Sequence, residues 1–455
     1  MPINESDIAH LIRRTESTAT EARITELSAL PNIGAAVDSI LATNSAGGAS
    51  NPRPILFDFN YNSPSWESVG DLRRWWIDEM AFGSQPLREK MSLFWHGHFT
   101  SNVGSTAWIG HVIDQMQLYR QSAFGDFRQL SKDMSVQPFM LFYLNNDRNT
   151  KYQINENFAR ELLELFTIGL ETYGLIPGQQ FPYTQEDIVS CAKAWTGENT
   201  KYNQTVRDTY EFKSNNHVTG NFTFLGETKN FRGFDIIDRV TTADPYRTIT
   251  ARHIAKKIWS YFAYPNPDVA LISNLVSSTN FQNNWDIKVL LRAILVHPDF
   301  YTDKAKLGII STPAEFVARV LRQAGERTNT ELNRKALYGM VDMAQELFEP
   351  PNVSGWKQNG YWLSTSQIGA RGNFAKLAYD LPSSSAKFRD LDTLAVDTTI
   401  TTAARRLGLV TLQTETRANL ASWLTEQRAR SGANADLRSA GLMHLLIMSP
   451  DFQLS

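Results

Sequence analysis

Residues 155–169 read NENFARELLELFTIG, and this run decides the fold class. Apolar Phe158, Leu162, Leu163, Leu165 and Phe166 recur at helical spacing, while Asn157, Arg160, Glu161 and Glu164 gather on the opposite face. Gly169 follows the last periodic residue, where a left-handed glycine ends a helix. The spacing predicts an amphipathic helix over 155–169 with Phe158, Leu162, Leu165 and Phe166 buried.

The same period recurs outward in both directions. Upstream it predicts helices over 6–14 (Ser6 as N-cap), 21–30, 33–43, 71–82, 86–99 (Pro86 in the first turn), 108–122, 124–135 and 137–144. The stretch NSAGGASNPRP at 44–54 breaks the pattern and reads as a loop. Downstream come 184–196, opened by a Thr184/Asp187 capping box, then 250–262, 285–296, 313–324, 334–347, 365–381, 399–407, 415–427 and 434–448. Residues 205–235 differ. YEFKSNNHVTGNFTFLGETKNFRGFD, 210–235, alternates aromatic and polar residues around turn formers and predicts a β-hairpin insert. The fold class is therefore mainly α, a multi-helical globular array with one small β-hairpin insert. It reads as one continuous unit over 1–455, with a point of subdivision near 240. LLRAILVHPDFY at 290–301 echoes LMHLLIMSPDFQ at 442–453, which is read as a shared helix-stop signal and not as a repeat.

Composition removes several function classes. A net charge of -2 over 455 residues argues against a general nucleic-acid binder, which needs a basic face. The single cysteine, Cys191, excludes an intramolecular disulfide and a thiolate metal cluster. No run approaches the roughly 18 apolar residues of a membrane span, and the opening MPINESDIAHLIRR has no signal-peptide pattern. Neither GxxxxGK[ST] nor a GxGxxG after a strand nor G-x-S-x-G is present.

Three segments carry chemistry. In FWHGHFTSN, 94–102, His96 and His98 would reach one divalent metal from an extended backbone, since side chains two apart share a face there. On a helix they would diverge by about 200°. The alternative is a pair of structural histidines among Trp95 and Phe99. In the 155–169 helix, Glu156, Arg160, Glu161 and Glu164 are the candidate catalytic residues, with Asn155 and Asn157 as substrate contacts. Carboxylates three apart repel unless they share a cation, an arginine or a proton, and Arg160 and Lys193 are the available partners. The alternative is a solvated face. In LFEPPNVSGW, 347–356, Pro350 and Pro351 stiffen a loop and Gly355 permits the turn that places Trp356. Trp356 with Asn352 suits a sugar ring, and the alternative is a packing plug between helices.

These strings resemble a bacterial family of unknown function, DUF1800. The resemblance is carried in order by DIAHLIRR (7–14), KMSLFWHGHFTSN (90–102), MLFYLNNDRNTKYQINENFARELLELFTIG (140–169), YTQEDIVSCAKAWTG (183–197), FTFLG (222–226), ARHIAKKIW (251–259), WDIKVLLRAILVHPDFY (285–301), TPAEFVARVLR (312–322), LFEPPNVSGW and LIMSPDFQ (446–453). The chain departs from the family at TESTATEAR (15–23), where a glycine-rich apolar stretch is usual. It departs again in the insert, where Val218 follows His217 in place of aspartate and Phe222 stands at the position of a lysine. His217 joins the substrate contacts if the insert lines the site. The resemblance implies a mostly helical, frequently exported protein, periplasmic or extracellular, and groups the histidines and carboxylates as one constellation. The expectation is an enzyme, hydrolase-like, with a His/Glu site, a divalent metal as its cofactor and a polysaccharide as its partner. The other reading is a non-catalytic envelope assembly protein.

Overall fold

The structure, a computed structural model, describes residues 3–45, 62, 64–202, 207–306, 308–327, 330–381, 386–430, 432 and 434–454. It is mainly helical, with two small antiparallel hairpins. The loop expected at 44–54 lies outside the described residues from 46 onward.

Local signals place most helices where their caps dictate. Asn4, not Ser6, caps the first helix, Glu5–Glu16, by accepting from the Ser6 N–H. The Thr184/Asp187 capping box opens Gln185–Ala194, and a second box, Thr312/Glu315, opens Pro313–Ala324. Among the helices not anticipated, the two longest in the described residues are Gly233–Thr242 and Val269–Ser278. In the first, Ile236, Ile237 and Val240 form an ordinary buried stripe that the neighbouring aromatic alternation obscures.

The β element is larger and earlier than 205–235. Strand β1, Glu198–Lys201, pairs with β2, Thr209–Phe212, in the register Glu198↔Phe212 to Lys201↔Thr209. A second hairpin joins β3, Phe222–Phe224, to β4, Glu227–Lys229. Its two-residue turn has φ of 46° at Leu225 and 77° at Gly226, the positive pair that matches strand twist. Leu225 tolerates this because its N–H bonds Asp187 Oδ1 at 2.8 Å and its side chain is buried.

Apolar residues form two clusters. The first draws on Ile8 through Ala305, with Ile237 and Ile249 on either side of residue 240 both inside it. The second joins Val69–Ala81 and Ile109–Met116 to residues 314–452. The Pro86–His98 helix serves both, since Met91, Phe94 and Trp95 belong to the first and Leu93 to the second. Buried charges rivet the clusters together. Lys90 Nζ meets Glu315 Oε1 at 2.6 Å; burial alone would raise the Glu315 pKa, but Lys90 and the Thr312 hydrogen bonds hold it down at about 2. Arg319 donates to Ser17 O at 2.7 Å and Phe452 O at 2.6 Å, and Arg371 donates to Ser311 O at 2.7 Å.

Candidate functional site

The run 155–169 is helical, but not uniformly so. Asn157–Glu161 is α-helix and Leu162–Phe166 is π-helix. A π turn holds one residue more than an α turn, so it rotates the side chains beyond it about the helix axis. Phe158, Leu162, Leu163 and Phe166 are buried as the apolar stripe requires. Leu165, expected in that stripe, is instead half-buried and faces a cavity. Gly169, at φ +75°, closes the run by donating its N–H to Leu163 O at 2.8 Å. A Cβ on Gly169 would stand 2.4 Å from His253 Nδ1, so the position also needs glycine for close approach.

His96 and His98 lie in the last turn of the Pro86–His98 helix, which corrects the extended backbone that a shared metal would need. Their rings go to different places. His96 Nε2 accepts the Phe348 N–H at 3.0 Å, and burial, followed by the charge of Arg73, lowers its pKa to about 3. His98 Nε2 donates to Phe166 O at 3.1 Å, and its pKa lies well below the usual value through burial and then the charges of Lys257 and His253. One nitrogen of each ring is thus already committed and the Nδ1 of each has no hydrogen-bond partner, while the two rings turn to different neighbours from a helical backbone. Among the described residues no group of three or more His, Cys, Asp or Glu could hold a metal.

The EPPNVSGW loop clamps onto this same helix end. Phe348 bonds His96, Val103 donates to Phe348 O at 2.8 Å, and the Thr100 hydroxyl donates to Val353 O. Gly355, at φ +75°, packs so closely that a Cβ would meet Gly97 O at 2.5 Å. Asn352 Oδ1 accepts from the Ser354 N–H at 3.0 Å and its hydroxyl at 2.6 Å, shaping the turn that delivers Trp356. The loop is a packing plug and a ring carrier at once.

Between these parts lies a cavity of about 480 Å³. Gly97 and His98 come from the first motif, Glu164 and Leu165 from the π-helix, and Trp356 from the loop. The Tyr246–Phe262 helix supplies His253, Lys256, Lys257, Ser260 and Tyr261. His98 therefore meets the 155–169 run at its backbone end, and shares a cavity wall with Glu164.

The wall is electrostatically uneven. Lys256 pairs with Glu171 at 2.6 Å, and Arg160 holds Glu164 and Glu156 at 3.2 Å each. Three donors converge on the end of the π-helix: His98 on Phe166 O, and His253 Nε2 at 3.4 Å with Lys257 Nζ at 3.3 Å on Leu165 O. Carbonyls at a helix C-terminus carry partial negative charge and attract such groups. Burial lowers the Lys257 pKa to about 8, and burial with the charge of Lys257 lowers that of His253 to about 3.

The other anticipated residues stand apart from the cavity lining. Asn155 Oδ1 accepts from the Asn157 N–H at 3.0 Å, and Asn157 Nδ2 donates to Leu144 O at 3.2 Å, so both fasten the helix start. Glu156 accepts from Gln185 Nε2 at 2.8 Å. Glu161 is half-buried, its pKa raised by burial and by the neighbouring charge of Glu164. Lys193 lies over the Phe222 ring and not on a carboxylate. His217 Nδ1 donates to Thr196 O at 2.9 Å inside the β element. Sequence reasoning missed His253, Lys257 and Trp362. The signal for the first two was legible: in ARHIAKKIW they stand four apart, opposite Ala251, Ala255 and Ile258.

No curated protein and no solved structure matches the chain significantly. Residues 8–454 match the family described as "Protein of unknown function (DUF1800)", and the chain belongs to that family.

Proposed function

We propose that the protein binds a carbohydrate in this cavity and acts on it as a hydrolase-type enzyme through Glu164. The observation that carries the reading is the convergence of three separate motifs, bearing Gly97/His98, Glu164 and Trp356, on one cavity of about 480 Å³. That volume falls within the usual range for small-molecule sites. The rings of Trp356, Tyr261 and Phe94 offer flat apolar faces, and Ser260, Gln345 and Gln358 offer hydrogen-bonding edges. Sugars present the same mixture of C–H faces and hydroxyl rims. Glu164, oriented by Arg160 at 3.2 Å, is the carboxylate placed to exchange a proton with a bound ligand. A periplasmic or extracellular setting, which the family resemblance implies, agrees with such a ligand. No helix among the described residues is long and apolar enough to cross a membrane.

Gly97 provides the test, because a Cβ added there meets no atom within 4 Å. Titrating neutral and acidic disaccharides against intrinsic tryptophan fluorescence should give a saturable change. Gly97→Leu should abolish it with the melting temperature preserved, and Glu164→Gln should bind sugar yet release no reducing ends. A panel that gives no saturable change, or one that survives Gly97→Leu, would overturn the reading.

A further inference from the structure

The charges around the cavity do not balance. Both carboxylates in the lining are already engaged, Glu171 with Lys256 at 2.6 Å and Glu164 with Arg160 at 3.2 Å. Lys257 is not matched in this way. Among the described residues it has no carboxylate partner, and its hydrogen bond goes to Leu165 O at 3.3 Å. The neighbouring His98 and His253 rings direct their own N–H groups to Phe166 O and Leu165 O, so they add no negative charge. The other lining residues, apolar Leu93, Phe94 and Leu165 and neutral Ser260, Gln345 and Gln358 among them, bring no negative charge. A half-buried ammonium in such a lining is costly to keep charged without a counter-ion. The partial charge of a helix end offsets only part of that cost.

We infer that the ligand of this cavity carries a carboxylate and that Lys257 receives it, so that the carbohydrate is an acidic sugar of the uronate type. The inference rests on the cavity being the carbohydrate site proposed above. A single lysine suits a monoanion, and no arginine fork stands in the lining to favour a phosphate dianion. The carboxylate would take the fourth side of a pocket in which Lys257 already has a carbonyl behind it. The lowered pKa of Lys257, about 8, agrees with a cation that lacks an anionic partner in the free protein.

The probes are digalacturonate and its dimethyl ester, which have one shape and differ in charge. With the native protein at pH 7, fluorescence titration should show the acid binding at least about tenfold more tightly, as one partly desolvated ion pair is expected to give. Lys257→Met should erase that preference while ester affinity changes by no more than about twofold, well under the tenfold step of 1.4 kcal/mol. Lys132→Met, which removes a lysine outside the cavity lining, should keep the preference. Equal binding of acid and ester by the native protein overturns the inference and leaves the carbohydrate site standing, as does a preference that survives Lys257→Met. If neither probe binds, the site and the inference fall together.

Discussion

At Gly355 the backbone holds φ at +75°, and an added Cβ would stand 2.5 Å from the Gly97 carbonyl oxygen. The obstacle is main chain and not the tip of a flexible side chain, so the neighbour has no rotamer to move into. Gly355→Ala should therefore destabilise the protein by about 2–5 kcal/mol, combining a left-handed alanine with a backbone clash. Gly97 lies inside a helix and faces open space. Gly97→Ala should stabilise by up to about 1 kcal/mol, because alanine loses less backbone freedom there. Urea unfolding of the two variants checks both signs. Similar midpoints would mean that the two motif backbones are not in contact.

Within the Asn157–Phe166 segment, the α-to-π change divides the face expected from a single period. Leu162 stays in the core at 1% exposure, while Leu165 turns to the cavity. Leu162→Ala should cost about 2–5 kcal/mol. The same change at Leu165, which enlarges a space already open, should cost under about half of that. Equal losses at both positions would contradict the rotation. Much of the element pattern was readable in advance because caps and apolar stripes are local: Thr184 with Asp187, Pro86, Gly169. The π turn was not, since its extra residue leaves no mark on an apolar run such as LLELF. The histidine pair shows a second limit. Spacing alone offered two backbones for 96–98, and the helix that began at Pro86 settled which one forms. Of the candidate site, Glu164, His98 and Trp356 were legible as motif residues. Lys257 and His253 were passed over because their partners are carbonyls remote in sequence, although the helix face they share was readable.

Over the described residues, five histidines with depressed pKa values set the response to acid. His96 and His253 have pKa values near 3, His10 and His98 lie well below the ordinary value, and His111 is lowered too, burial being the leading cause in each. Their folded values are depressed, so the unfolded chain takes up protons first. The stability they contribute is complete above about pH 6.5 and is lost as pH falls through their folded values, about 3 for His96 and His253. Each histidine contributes a slope of about 1.4 kcal/mol per pH unit in that range. Glu89, raised by burial, acts with the opposite sign nearer the carboxylate range. The guanidinium chloride midpoint should fall steadily from pH 7 to pH 5.5, before ordinary carboxylates titrate. His253→Gln should make that fall shallower. A midpoint that stays flat across this interval would show that these rings are charged in the native state.

Arg319 has a consequence for how the chain is made. Its guanidinium joins the carbonyl of Ser17 to that of Phe452, far later in the chain. At ordinary translation rates of about 5–20 residues per second, roughly 20 to 90 seconds separate the two partners. For that interval the Glu5–Glu16 helix waits with its buried face incomplete, and the Arg319 bond to Phe452 forms only once that residue has been made. A chain that lacks Phe452 therefore lacks the bond that ties these two distant segments together.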